Sequence, residues 1–274
     1  MNRMAFGLAA TVALCVSARA ADIALKAPSP PAAIFSWTGF YIGGDFGGTW
    51  SRTDASTIQF PRIPAANPAD PQAFSLKGTG AIAGLHAGYS WQVAPIWILG
   101  VEGDADWTEI RASVTAPLMI NGLPSGGFPG ISSSDRVSRN VNWLASIRGR
   151  AGYVHGSWLL YATAGGAWGG LQQSATQSLN APGVSVIWPF SSSTTASGWV
   201  AGAGVEHVLS NHWTMRGEYL YYSLTGTTGN ALPMISGSVV VPGNFFADTF
   251  ARTTIQTARL GISYKFGGPV LAGY

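Results

Sequence analysis

The chain has 274 residues, of which only 10% are charged, and it contains 36 glycines, 11 tryptophans and nine tyrosines. This composition departs from that of soluble globular proteins. Beyond the N-terminus no stretch approaches the roughly 18 to 20 consecutive apolar residues of a transmembrane helix, so helical spans are excluded.

The first 20 residues predict a secretory signal peptide. Arg3 gives a short basic head, residues 5–16 form an apolar centre, and Ala18 and Ala20 make an A-x-A cleavage motif. Cleavage would remove Cys15, the only cysteine, and reduce the basic residues from 15 to 13 against 12 acidic ones. We therefore expect no disulfide, and the near-zero net charge predicts no nucleic-acid partner.

Residues 21–36 contain three prolines without alternation, which predicts a periplasmic Pro-rich leader. From Trp37 the pattern changes to period two, which indicates β-strands. In the stretch from Val141 to Gly170, arginines and small residues alternate with apolar and aromatic ones, as in a strand that crosses a bilayer. Eight such runs follow one another: Phe40–Trp50, Gly80–Gln92, Ile96–Ile110, Val141–Val154, Trp158–Leu171, Gly198–Leu209, Trp213–Leu224 and Thr254–Phe266.

The connections between these runs alternate between short and long. Short links are predicted at Val93–Pro95, His155–Ser157 and Ser210–His212, and loops of about 25 to 30 residues at 51–79, 111–140, 172–197 and 225–253. Short periplasmic turns and long extracellular loops are typical of outer-membrane barrels. The prediction is an all-β, eight-stranded antiparallel up-and-down transmembrane barrel over residues 37–266, with a periplasmic tail at 267–274.

Two apolar segments interrupt the predicted loops, at residues 187–190 and 244–246. They could bind an extracellular ligand. We favour the alternative that they pack on one another or prolong the strands above the membrane.

Strand parity separates polar from apolar positions. If the apolar face contacts lipid, the polar face must line a closed interior. For the strand at Trp158 we favour the parity that places Trp158 and Leu160 outside and Thr163 inside. The predicted interior residues are Asp45, His86, Glu102, Asp104, Asp106, Arg148, Arg150, Glu206, Arg216, Glu218, Arg259 and Lys265.

Six acids and five bases nearly balance in this set, and an eight-stranded barrel is just wide enough for its side chains to fill it. Buried charges must be compensated, which favours a salt-bridged plug. A narrow ion-conducting pore is the alternative. We expect no catalytic, cofactor-binding or metal site, because His86 stands alone in mid-strand and the other three histidines lie near the predicted periplasmic turns.

Several segments resemble a known family, among them WTGFYIGGDFG at 37–47, AGLHAGYSWQ at 83–92, ILGVEGDADW at 98–107, SIRGRAGY at 146–153, WLLYATAGGAWG at 158–169 and GVEHVLSNHWTMRGEYLYY at 204–222. Together they are similar to the small, porin-like outer-membrane barrels known as outer membrane immunogenic proteins of Gram-negative bacteria. The resemblance covers nearly all of residues 37–266. It implies an abundant, antigenic outer-membrane barrel, with some relatives described as haem-binding and others loosely as porins, and no established catalytic residues.

We therefore expect a non-enzymatic protein of the cell outer membrane with a structural and surface-interaction role. The alternatives are a narrow channel for ions or small solutes, or a surface haem or ligand receptor. Expected partners are outer-membrane lipid and lipopolysaccharide, the barrel-assembly machinery and a possible extracellular ligand of the loops, with the chain monomeric or weakly oligomeric. Tyr264 and Phe266, which end the last apolar stripe, are the predicted assembly signal.

Overall fold

The computed structural model describes residues 33–60, 72–120, 123–124, 129–232, 234–235, 238–239, 245–266 and 270–271. The predicted signal peptide and most of the leader lie outside the described residues. Within those residues, no helix is long and apolar enough to span a membrane.

Eight strands form one closed antiparallel ring. Each strand pairs with its neighbours in sequence, and the last pairs with the first from Tyr41 opposite Lys265 up to Phe60 opposite Phe245. The predicted fold class is therefore confirmed. The strands are β1 Gly39–Phe60, β2 Gln72–Ala94, β3 Trp97–Ala116, β4 Ser132–His155, β5 Trp158–Ala181, β6 Val184–Val208, β7 Trp213–Leu224 and β8 Phe245–Lys265.

The three predicted short turns are confirmed at one end of the barrel. They lie between β2 and β3, between β4 and β5, and between β6 and β7. Gly156 adopts φ of 60° in the β4–β5 turn, a conformation that L side chains rarely adopt. At the same end, Ala33–Ile34 pairs with Val270–Leu271, so the leader and the tail meet in a short two-stranded ribbon.

The four predicted long loops are wrong over much of their length, because the strands continue into them. β6 is 25 residues long and starts at Val184, whereas the sequence pattern predicts a start at Gly198. Only β7 is short, with 12 residues, and the chain resumes pairing with β8 at Thr227–Ala231. The outward positions of these extensions carry serine, threonine and other polar residues, so the apolar stripe that marks a membrane strand disappears while the pairing persists.

The extensions also account for the two apolar segments of the predicted loops. Trp188 on β6 and Phe246 on β8 are buried inside the upper barrel, and their rings meet edge to face with centroids 5.3 Å apart. The favoured alternative, that these segments prolong the strands and pack on one another, is confirmed.

The outer wall has a band bounded by aromatic side chains. Four strands carry two exposed aromatics ten residues apart, which at about 3.3 Å per residue and a tilt of about 40° spans roughly 25 Å, the height of the apolar band of membrane barrels. Between the girdles lie exposed aliphatic residues such as Leu99, Ile147 and Leu260. Trp158 and Leu160 are exposed and Thr163 is buried, so the favoured parity of β5 is correct. The four pairs are Phe40 and Trp50, Trp97 and Trp107, Trp143 and Tyr153, and Trp158 and Trp168.

Candidate functional site: the barrel interior

Charged side chains fill the interior at the level of the apolar band. They come from β1 to β4 and from β6 to β8, because strand alternation turns every second residue inward. Each of the twelve residues predicted for the interior is at most 6% exposed: Asp45, His86, Glu102, Asp104, Asp106, Arg148, Arg150, Glu206, Arg216, Glu218, Arg259 and Lys265.

Arg148, on β4, connects three carboxylates from two other strands, β3 and β7. Its guanidinium nitrogens lie 2.6 Å from Glu102, 2.8 Å from Asp104 and 3.0 Å from Glu218. Glu102 lies directly opposite Arg148 in the β3–β4 ladder, whereas Glu218 reaches it from β7 across the lumen. The contact therefore ties opposite walls of the barrel together.

The other arginines extend this network. Arg216 donates from Nε and Nη2 to both carboxylate oxygens of Asp45, at 3.0 and 2.8 Å, and from Nη1 to Glu102 at 2.6 Å. Bidentate pairing of this kind fixes the direction of both side chains. Arg150 pairs with Glu206 at 2.8 Å.

Arg259 completes the pairing of the predicted interior acids. It contacts Asp106 at 2.9 Å and Glu218 at 2.7 Å, and approaches Asp104 at 3.6 Å. All six predicted interior acids therefore contact at least one arginine. Lys265, by contrast, has no hydrogen-bond partner for Nζ among the described residues and lies 6.0 Å from the centre of the Phe35 ring.

The expectation that His86 stands alone in mid-strand is wrong. Its Nδ1 lies 2.6 Å from Asp45 Oδ2 and its Nε2 lies 2.8 Å from Ser263 Oγ, which gives the connectivity of a serine–histidine–aspartate triad. The serine is 1% exposed, and Gly43 packs so closely on the imidazole that even a Cβ there would overlap it. The set is part of the buried ion-pair network, because Asp45 also accepts hydrogen bonds from Arg216.

Apolar layers enclose the charged layer at both ends. Towards the short turns, Trp37, Ile98, Leu159 and Tyr161 pack together under the charges. Towards the other end a larger cluster crosses the lumen: Ile82, Ile110, Val141, Leu144, Ala167, Leu171, Ala196, Val200, Leu220, Tyr222, Leu224 and Ile255. The charged layer thus lies between two apolar clusters of the described residues.

A second polar group lies in the strand extensions above the upper aromatic girdle. Gln177 donates to Asp135 at 3.1 Å and to Asp248 at 3.2 Å, and Thr57 donates to Asp248 at 2.7 Å. Burial raises the pKa of Asp135 to about 7, with a further contribution from the Asp248 charge, and burial raises the pKa of Asp248 to about 6. The sequence pattern missed this group because its members fall in segments that had been predicted as loops.

The described residues hold no group of three or more histidine, cysteine, aspartate or glutamate side chains that could bind a metal ion. The charged network therefore does not provide a metal-ligand set in that part of the chain.

Comparison with known proteins gives concordant matches. The family model for the outer membrane protein beta-barrel domain matches residues 6–266. The 31 kDa outer-membrane immunogenic protein of Brucella melitensis is 30% identical over 258 residues, which cover 91% of this chain and 94% of that protein. The 22 kDa outer membrane protein of Rhizobium leguminosarum is 31% identical over 198 residues, covering 72% and 68%. Among solved structures, the outer membrane protease OmpT from Escherichia coli matches with a TM-score of 0.45 and 11% identity, over 85% of this chain and 98% of that one.

Proposed function

Because the chain belongs to the outer membrane protein beta-barrel domain family, we propose that it acts in the outer membrane as a closed structural barrel with a surface-interaction role. The observation that carries this proposal is the paired and enclosed charge layer of the interior. For example, the single carboxylate of Glu102 contacts the three arginines Arg148, Arg150 and Arg216.

The energetics of this network favour a permanent plug over a gated channel. Removing one partner from a buried ion pair typically costs about 3–5 kcal/mol, because the other charge is left uncompensated. An ion path would require several such pairs to separate at once, and it would also have to displace the apolar layer around Leu144 and Leu220. The same pairs join β3, β4 and β7 across the lumen, which supports a role in holding the barrel rigid.

The surface role rests on the part of the barrel that rises beyond the upper aromatic girdle. β4 and β5 continue for more than ten residues past Trp143 and Trp168, and serines line their outer face. Ser138 and Ser174 share a hydrogen bond of 2.7 Å there. Curated relatives are named outer-membrane immunogenic proteins, which agrees with a wall that is presented at the cell surface. We expect lipopolysaccharide to contact this wall near the girdle, and the barrel to act as a monomer or weak oligomer.

Planar-bilayer conductance tests the closed barrel against the channel alternative. The refolded protein should insert, as judged by heat-modifiable gel mobility, and should leave the bilayer without stable conductance steps. Reproducible unitary steps from the inserted protein would overturn the closed-barrel proposal and favour a narrow channel.

The proposed role is non-enzymatic, although Asp45, His86 and Ser263 have triad-like connectivity. A fluorophosphonate probe, which reacts with activated serines, should not label Ser263 in the folded barrel. A Ser263→Ala variant provides the background. Labelling of the wild type that disappears in this variant would contradict the non-enzymatic proposal.

A further inference from the structure

One buried arginine differs from all those in the charged layer. Arg139 lies on β4 above the upper girdle, is 2% exposed, and has no hydrogen-bond partner for Nε, Nη1 or Nη2 among the described residues. Arg148, Arg150, Arg216 and Arg259 each contact at least two carboxylates. The fully buried guanidinium of Arg139 therefore has donors to offer and no acceptor.

A second unpaired polar side chain stands beside it. Gln173 lies directly opposite Arg139 in the β4–β5 ladder, is also 2% exposed, and has no hydrogen-bond partner for its amide nitrogen or oxygen in the described part of the chain. The next positions along this rung are Ala112 on β3 and Ser192 on β6. Neither of these small side chains supplies a charge to the Arg139 guanidinium.

The surroundings of Arg139 do not supply a counter-ion. The guanidinium carbon lies 5.5 Å from the centre of the Phe250 ring, and the neighbouring inward positions on its own strand are Val137 and Val141. Asp135 and Asp248, which accept hydrogen bonds from Gln177, form no ion pair with Arg139 among the described residues. Burial lowers the pKa of Arg139 only to about 10, so the guanidinium stays charged at neutral pH.

We propose that Arg139 and Gln173 form a binding site for a small oxyanion inside the extracellular half of the barrel. A guanidinium presents paired N–H donors that match the two oxygens of a carboxylate, and the Gln173 amide adds a third donor. Apolar residues above and below exclude water, which strengthens each of these hydrogen bonds. The packed Phe250, Val137 and Val141 side chains around the guanidinium limit the ligand to a compact anion, such as the carboxylate of a small molecule or inorganic phosphate.

Ligand-dependent stability of the full barrel tests this site. The chain is refolded in a phosphate-free detergent, and urea unfolding is followed in sodium acetate, sodium phosphate or sodium chloride at matched ionic strength. An anion at ten times its Kd should lower the unfolding equilibrium constant about elevenfold, with saturation. Saturation in acetate identifies a carboxylate ligand, and saturation in phosphate alone identifies an inorganic oxyanion.

Substitutions on opposite faces of the same strands provide matched controls. Arg139→Met should abolish the saturable response, whereas Arg136→Met, at an exposed position of β4, should retain it. Gln173→Leu should weaken the response, whereas Gln172→Leu on the outer face of β5 should not. If Arg139→Met fails to fold, the pair at Gln173 and Gln172 still decides. A response that is absent in acetate and phosphate, equal in chloride, or unchanged in Arg139→Met or in Gln173→Leu would overturn the proposal.

Discussion

Replacing Arg148 by methionine should destabilise the barrel more than replacement of any exposed arginine. Arg148 is 1% exposed and contacts Glu102, Asp104 and Glu218. Removing one partner from buried ion pairs typically costs about 3–5 kcal/mol, and we expect a loss of unfolding free energy in that range. Arg52→Met is the control, since its pair with Asp54 is exposed and should contribute at most about 1 kcal/mol.

The structure also predicts which second substitution restores stability. Without Arg148, Glu102 still contacts Arg150 and Arg216, and Glu218 still contacts Arg259 at 2.7 Å. Among the described residues, Asp104 keeps only the longer contact of 3.6 Å with Arg259 and the hydrogen bond from Ser146. Asp104 therefore loses the largest share of its compensating positive charge when Arg148 is removed. Asp104→Asn should therefore recover more of the lost free energy than Glu102→Gln or Glu218→Gln does.

Urea unfolding in lipid vesicles, monitored by tryptophan fluorescence and by heat-modifiable gel mobility, gives the required free energies. A double-mutant cycle for Arg148 and each carboxylate isolates the pairwise coupling. Strict additivity in all three cycles, or equal destabilisation by Arg148→Met and Arg52→Met, would refute the description of the interior as a coupled, buried network.

Three further predictions concern other parts of the barrel. The pKa of Asp135 is raised to about 7 in the folded state, so above about pH 4 the folded chain keeps a proton that the unfolded chain has lost. The free energy of unfolding should therefore fall by up to about 1.4 kcal/mol per pH unit between pH 4 and 7. Asp135→Asn should flatten this fall in urea titrations, and an unchanged slope would contradict the raised pKa. Val101→Arg, which places a charge on the lipid-facing wall about midway between Trp97 and Trp107, should cost about 2–4 kcal/mol in vesicle unfolding, whereas Val101→Phe should be nearly neutral; equal tolerance would refute the assignment of that face. Phe266→Ala should lower outer-membrane insertion in fractionation and surface proteolysis, whereas deletion of residues 267–274 should leave it largely intact, and the reverse result would place the assembly signal in the tail.

The sequence predicts the wall of the barrel well, because one physical rule governs it. Lipid outside and a packed lumen inside impose opposite polarity on alternate residues, so parity alone turns Asp45 and Arg148 inward and Leu99 and Trp107 outward. Even the ambiguous β5 is resolved by asking which parity places Thr163 inside. Alternation is a local property, and strand neighbours in an up-and-down barrel follow chain order.

The contacts between side chains across the lumen cannot be predicted in this way, because no local sequence pattern specifies them. Arg148 meets Glu218 at a separation of 70 residues, and His86 meets Ser263 at a separation of 177. These contacts depend on the stagger between strands and on how far each side chain reaches into the lumen. A single register shift would turn a residue to the other face. The sequence therefore indicates that charges must pair, while their geometry follows only from the closed ring.

The sequence pattern does not reveal the strand extensions above the girdle, because water and not lipid surrounds them. Above Trp50 and Trp168 the outer face meets water, so its apolar stripe gives way to polar residues and the contrast that identifies a membrane strand is lost. The inward positions keep their character through the same segments, with Leu76, Val137 and Phe250 all buried. Strand limits inferred from the lipid face therefore end at the girdle, although the barrel does not. The inward positions alone indicate strands that continue upward and place Arg139 and Asp135 inside the barrel.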